Sequence, residues 1–327
     1  MKKTLIFVLC FVLCITAFTA CVSIENINID NIEDSSETDI SVNTSKEDDA
    51  SLQPSSEAPV SSADETSEAP IYTPVYPESY EERVAYYSNM AVNADVNDGF
   101  FNDSVFVGNS IMLHYKNYVS AKRAGVSDFL GNASFFAAAS FSYYNNKNQK
   151  PTDADCALPI YMGEKMSIGD AVKKMGVKTV YLSLMALNDI ALYRDGETGI
   201  EETYKLFTQL IEELKNDNPA LNVVVINNTY LHSNSAGMKK LNNANIKKLN
   251  DKVLSYCNQN GCDYIDVNEV LVDDNGHLGN EFCSDPNSQT AACHLTNAAY
   301  NAWTHILRDY AAKKSDGKWA NPTQLTK

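Results

Sequence analysis

Hydrophobic and polar positions divide the chain into three textures. Apolar residues run almost unbroken from Leu5 to Phe18 and nearly vanish from Val22 to about Pro77; from Ser79 onward they return with helix-like and strand-like periods. In this last part, Ser104-Val105-Phe106-Val107-Gly108-Asn109 is a short apolar strand ending in turn residues. Asp128 to Phe135 is the second expected strand and Lys178 to Leu184 the third. Leu221 to Asn227 is rich in β-branched residues and almost continuously apolar, as a strand buried on both faces of a parallel sheet must be. Asp263 to Val267 is the fifth strand. Helical stretches fall between them. Ser79-Tyr80-Glu81-Glu82-Arg83 opens as a capped helix, and Ile168 to Met175 is a second. Gly199 to Asn216 places Tyr204, Phe207, Leu210, Ile211 and Leu214 at helical spacing, and further helices are expected over Ala236 to Asn258 and Asn297 to Ala312. Strands alternating with helices predict one doubly wound α/β domain over residues 79–327. That is a three-layer α/β/α sandwich on a five-stranded parallel sheet, with ligands at the carboxyl ends of the strands.

Charge sharpens the division. The formal charge of the 327-residue chain is −16, which argues against a nucleic-acid partner, because phosphate binding needs clustered Lys and Arg. The acidity is local: Val22 to Glu78 holds 14 acidic residues against Lys46 alone. Rich in Ser, Glu, Asp, Thr and Pro, residues 22–78 cannot bury enough apolar surface to offset their conformational entropy, so they are expected to form a disordered tether. As a flexible coil it would span on the order of 40 Å. Ahead of it, Lys2 and Lys3 precede the apolar stretch, and Phe18-Thr19-Ala20-Cys21 closes residues 1–21 with small residues before a cysteine. This resembles a bacterial lipoprotein signal, with Cys21 as the lipidated residue. The resemblance implies a protein lipid-anchored to the bacterial cell membrane with its domain on the extracellular face. An ordinary secretory signal or a short membrane anchor is the alternative.

Three candidate chemical groups fall just after predicted strands or at the last helix. Ser110 follows Gly108-Asn109 at a strand-to-helix turn, where its hydroxyl is exposed and its own N–H points toward a developing oxyanion. Asn188, in Ala186-Leu187-Asn188-Asp189, offers a side-chain amide to the same oxyanion. His294, in Cys293-His294-Leu295-Thr296, supplies an imidazole. Taken singly, each is equally a helix cap or a packed side chain; their order along the chain is what joins them.

These blocks together resemble the SGNH, or GDSL-type, hydrolases over about Ser104 to Tyr310. Phe106 to Ser110 is similar to the Gly-Asp-Ser block, Ala186 to Asp189 to the Gly-x-Asn-Asp block, and His294 to the His of the Asp-x-x-His block. The resemblance implies a flavodoxin-like α/β/α fold and hydrolysis of esters without a cofactor or metal. Ser110 would attack, His294 would take its proton, and the Ser110 N–H with the Asn188 amide would hold the oxyanion. For the further donor that normally follows strand two, Ser134 is the expected residue, with Gly131 as the alternative. Asn109 is counted with the oxyanion and substrate-binding group.

The sequence departs from the family pattern at four places: Asn109 replaces Asp, Ala186 replaces Gly, Ser134 stands where Gly is expected, and Ala291 occupies the position of the triad Asp. Two readings of Asp285 stay open, an acid reaching back to His294 or a turn residue before Pro286. Cys283 with Cys293 is a candidate disulfide around this loop, and Cys257 with Cys262 another, leaving Cys156 free. No Cys-x-x-Cys pair or finger-like His spacing suggests a metal. His232 follows the fourth strand and is a candidate to line the site, whereas His114, His277 and His305 are expected to lie at the surface or in helix packing. Two functions follow. One is a membrane-tethered serine esterase taking O-acetyl or short acyl groups from a carbohydrate; the alternative is a catalytically decayed domain of the same fold that binds a cell-surface glycan or a protein partner.

Overall fold

The structure, a computed structural model, describes residues 76–91, 93–235, 239–288 and 291–325. Cys21, the leader and nearly all of the acidic segment lie outside the described residues. Among the described residues no helix is long and apolar enough to cross a membrane. Tyr76, assigned to the tether from sequence, packs on the domain: its hydroxyl donates to Asp309 at 2.8 Å and its ring lies 5.3 Å from that of His305.

Five parallel strands form the central sheet: β1 (Ser104–Gly108), β2 (Ser134–Ala137), β3 (Thr179–Ser183), β4 (Asn222–Ile226) and β5 (Asp263–Ile265). Their spatial order is β2-β1-β3-β4-β5, the doubly wound arrangement expected from the sequence. The helices are α1 (Tyr80–Asn89), α2 (Ser110–Arg123), α3 (Tyr143–Asn148), α4 (Ile168–Met175), α5 (Leu187–Leu192), α6 (Gly196–Asp217), α7 (Asn243–Asn260), α8 (Asn268–Leu271) and α9 (Asn297–Ser315). A short antiparallel hairpin, Ile160–Tyr161 with Glu164–Lys165, stands outside the sheet.

Local chemistry accounts for the element boundaries. Ser79 and Glu82 make a reciprocal capping box at α1, and Asp195 accepts the Thr198 N–H to start α6 earlier than its apolar period suggests. Gly176 and Gly261 end α4 and α7 in the left-handed conformation. The sheet is knit on one face by an aromatic row. Phe106 stacks on Phe135 of β2 at 5.3 Å and on Tyr181 of β3 at 4.4 Å, in register across three strands.

The second strand corrects the sequence reading. It begins at Ser134 and not at Asp128, because Leu130 and Gly131 adopt positive φ and the chain turns before it pairs. Arg123 gathers the carbonyls of Phe129, Gly131 and Ala133 at 2.9–3.1 Å, fixing that turn. A Cβ at Gly131 would meet Asn102 Oδ1 at 2.5 Å and the Asp98 carbonyl at 2.7 Å, so only glycine fits there.

Candidate active site

Ser110 opens α2 immediately beyond the carboxyl end of β1. Gly108 makes this turn possible by close approach: a Cβ there would lie 2.4 Å from Met112 Cβ and 2.5 Å from the Ser183 carbonyl. Asn109 caps the helix, its Oδ1 accepting the Ile111 N–H at 3.1 Å. The Ser110 N–H sits in the first turn of a fourteen-residue helix, where backbone donors have no intrahelical acceptor and the dipole favours negative charge.

Across from Ser110 stands the segment joining the last strand region to α9. Ser110 Oγ lies 3.1 Å from His294 Nε2, and His294 Nδ1 lies 2.7 Å from Asp285 Oδ2. Asp285 Oδ1 also accepts the His294 backbone N–H at 3.0 Å and the Cys283 thiol at 3.3 Å. Of the two readings of Asp285, the geometry is therefore that of an acid reaching back to the imidazole. The loop that carries it is pinned by Ser284 N–H to the His294 carbonyl at 2.8 Å, by Thr296 N–H to the Phe282 carbonyl at 3.0 Å, and by a bridge between Cys283 and Leu295. Burial alone would raise the Asp285 carboxyl; its hydrogen bond to His294 and the charge of that ring outweigh burial and hold it below the usual carboxylate range. With both ring nitrogens engaged, the imidazole has a defined orientation, hydroxyl on one side and carboxylate on the other.

Asn188 is brought to the same end of the sheet, on α5 just after β3, and its amide donates to the Phe141 carbonyl at 3.2 Å. Asp189 beside it is fully buried and accepts the N–H groups of Tyr143 and Tyr144 at 3.1 and 2.8 Å, which ties the start of α3 to α5. Burial pushes the Asp189 carboxyl up to about 6. Ala186, standing where the family has Gly, has φ −62°, a conformation open to any residue, so this departure carries no strain.

Other expectations are not met. Ser134 and Gly131 lie at the amino end of β2, opposite the end that carries Ser110, and Ser134 is exposed there. The register Gly108 to Ala137 shows why: what runs beside Ser110 is the segment following β2, Ala138 to Ser142. Asn109 is 2% exposed and spends its side chain on the protein, so it does not face a substrate. His232 is buried, and its backbone N–H donates to the Ala292 carbonyl at 2.9 Å, steadying the loop before His294. His305 packs internally as expected, with Tyr87 Oη 3.1 Å from its Nδ1. His114 does more than expected, its ring centroid lying 5.2 Å from that of His294. Burial first, and the neighbouring His294 second, lower the His114 imidazole. Its position four residues after Ser110 on the same helix was the available signal, since residues at that spacing share a helix face. All five cysteines of the domain are free thiols in the structure, so the loop is held by hydrogen bonds in place of the expected Cys283 to Cys293 disulfide. A hollow of about 650 Å³ beside the hairpin, lined by Glu164, Lys165, Asp170 and Lys174 among others, includes no residue of the Ser110-His294-Asp285 chain.

No family model and no curated protein matches the sequence. Among solved structures, the chain is similar to a GDSL-like lipase from Bacteroides thetaiotaomicron, at 14% identity over 72% of this chain and 98% of that one, with a TM-score of 0.43. It is similar also to an acetyl xylan esterase, at 14% identity over 63% of this chain and 98% of that one, with a TM-score of 0.44. These likenesses are distant.

Proposed function

We propose that this domain is a serine esterase or acylhydrolase of SGNH type. The observation that carries the reading is the continuous chain Ser110 Oγ, His294 Nε2, His294 Nδ1, Asp285 Oδ2, with links of 3.1 and 2.7 Å, at the carboxyl end of a doubly wound sheet. In the mechanism, His294 takes the Ser110 proton as Oγ attacks the ester carbonyl, and Asp285 holds the tautomer and stabilises the imidazolium. The tetrahedral oxyanion lies at the first turn of α2, facing the Ser110 N–H, with the Asn188 amide as the side-chain donor. Collapse returns the proton from His294 to the leaving alcohol, and water repeats the sequence to free the acid.

The substrate proposed is an O-acetylated or short-acylated carbohydrate. Support comes from Tyr144, 42% exposed at the start of α3 and tied through its backbone N–H to Asp189, the neighbour of Asn188, since an exposed aromatic side chain suits a sugar ring. The apolar leader and Cys21 support a lipid-anchored protein whose domain works outside the cell, on surface or environmental glycans. The test is hydrolysis of p-nitrophenyl acetate and release of acetate from acetylated xylan by the purified chain. Turnover with fluorophosphonate labelling, both lost in Ser110→Ala, is the expected result. A chain that shows no turnover and takes no label overturns the esterase and leaves the glycan-binding alternative.

A further inference from the structure

The Asp285 carboxylate is held by a group outside the serine-histidine-acid chain. Asp285 precedes His294 by nine residues where the family spacing is three, so its loop is longer and its side chain has more freedom to lose. The pins at Ser284, Cys283 and Thr296 fix the backbone of this loop, but backbone pins do not set the side-chain rotation of Asp285. That rotation is set at Oδ1, which accepts two donors, the His294 N–H at 3.0 Å and the Cys283 Sγ–H at 3.3 Å, leaving Oδ2 directed at His294 Nδ1. Cys283 is 4% exposed and is a free thiol.

We infer that Cys283 is a positioning residue of the active site, its thiol acting as the hydrogen-bond donor that orients the triad carboxylate. The inference rests on the esterase reading. Burial, with Asp285 alongside, keeps the thiol protonated, pushed up to about 12, so the donor persists across the working range. A disulfide from Cys283 to Cys293 would consume this hydrogen, so the donor role and the sequence-expected disulfide exclude each other.

The test measures kcat and KM of the full chain on p-nitrophenyl acetate for wild type, Cys283→Ala, Cys283→Ser, Asp285→Ala and the Cys283→Ala/Asp285→Ala double variant, with melting temperatures. Loss of one modest hydrogen bond predicts a fall in kcat of roughly three- to ten-fold in Cys283→Ala at little change in KM. Cys283→Ser, which restores a donor, recovers the loss, and in the Asp285→Ala background Cys283→Ala has no further effect on kcat. A structural role alone would lower kcat in both backgrounds and would not be rescued by Ser. Wild-type kcat in Cys283→Ala, additive losses in the double variant, or a Cys283 that resists alkylation after denaturation because it is disulfide-bonded, each overturns the inference while the esterase stands. A wild type that neither turns over ester nor labels with fluorophosphonate overturns the esterase reading and this inference with it.

Discussion

The Asn109 amide joins the chain just beyond β3 to the turn bearing Ser110. Its Nδ2 donates to the carbonyls of Leu184 at 2.9 Å and Met185 at 3.0 Å while its Oδ1 caps α2. Met185 is held at φ 44°, an uncommon conformation for a residue with a side chain, so this turn needs its partners. An aspartate, the residue of the family pattern, accepts but cannot donate when ionised, and would set negative oxygen against two carbonyls. Asn109→Asp is therefore expected to destabilise the fold by about 2–3 kcal/mol, measured by urea unfolding at pH 7. Unchanged stability would show that the two carbonyls do not depend on the amide.

Asp285 Oδ2 lies 2.7 Å from His294 Nδ1, and under the proposed esterase mechanism its contribution is open to direct measurement. Loss of the carboxylate removes both tautomer control and imidazolium stabilisation, a change on the order of 10⁴ in kcat for the serine-protease comparison. Asp285→Ala should approach that loss, with Ser110 still slowly labelled by fluorophosphonate. A kcat reduced by less than about ten-fold would mean that Ser110 and His294 act as a dyad.

The sheet and the pairing of Ser110 with His294 were legible in the sequence, while the supporting contacts were not. Leu221 to Asn227 and Lys178 to Leu184 declare themselves as buried parallel strands by composition alone; Ser110 and Asn188 stand where strands end, and His294 is joined to them by the order of the three blocks and their resemblance to the SGNH pattern. β2 was misplaced because Asp128 to Phe135 has strand-like composition. The contacts that turn the chain there are Arg123 on three carbonyls six to ten residues ahead of it and Gly131 against Asn102, and neither leaves a mark in the apolar pattern of the segment itself. That one shift moved the expected oxyanion donor to the wrong end of the sheet. Asp285 could be named but not settled, since whether a carboxylate nine residues away returns to a ring depends on loop geometry. The donor role of Asn109 was invisible for a related reason: sequence shows an Asn in place of Asp, not the carbonyls it meets.

Asp189 gives the fold a pH dependence whose sign follows from its burial. Its folded carboxyl is pushed up to about 6 from an ordinary value near 3.8, so between roughly pH 4 and 6 the native state binds the proton more tightly than the unfolded chain. For this group stability falls as pH rises through that window, by on the order of 2–3 kcal/mol, and is flat above it. His114 and His305, both lowered by burial, act oppositely: their contribution is present above about 6.5 and is lost as pH falls below it. Asp189→Asn isolates the carboxyl. Urea unfolding at pH 4.5 and pH 7 should show the wild type gaining stability relative to the variant at the lower pH. An identical difference at both values would mean that Asp189 titrates as an ordinary carboxylate.

Gly108 links the sheet to Ser110 through a contact that admits no side chain. A Cβ at this position would overlap Met112 Cβ at 2.4 Å and the Ser183 carbonyl at 2.5 Å, one neighbour from α2 and the other from β3. Neither can yield by a simple side-chain rotation, because a Cβ and a backbone oxygen move only with their backbones. Gly108→Ala must therefore push α2 away from β3, at a cost of about 1–3 kcal/mol. Ser110 opens the displaced helix while His294 and Asp285 are held by a separate loop, so the same shift lengthens the 3.1 Å link from Ser110 to His294. Activity should fall by about a hundred-fold, more than the loss of stability alone would produce in a protein still folded at 25 °C. The check pairs kcat/KM with a melting curve: a Gly108→Ala variant that is folded and fully active would show that the turn tolerates a side chain and that its glycine does not set the position of the serine.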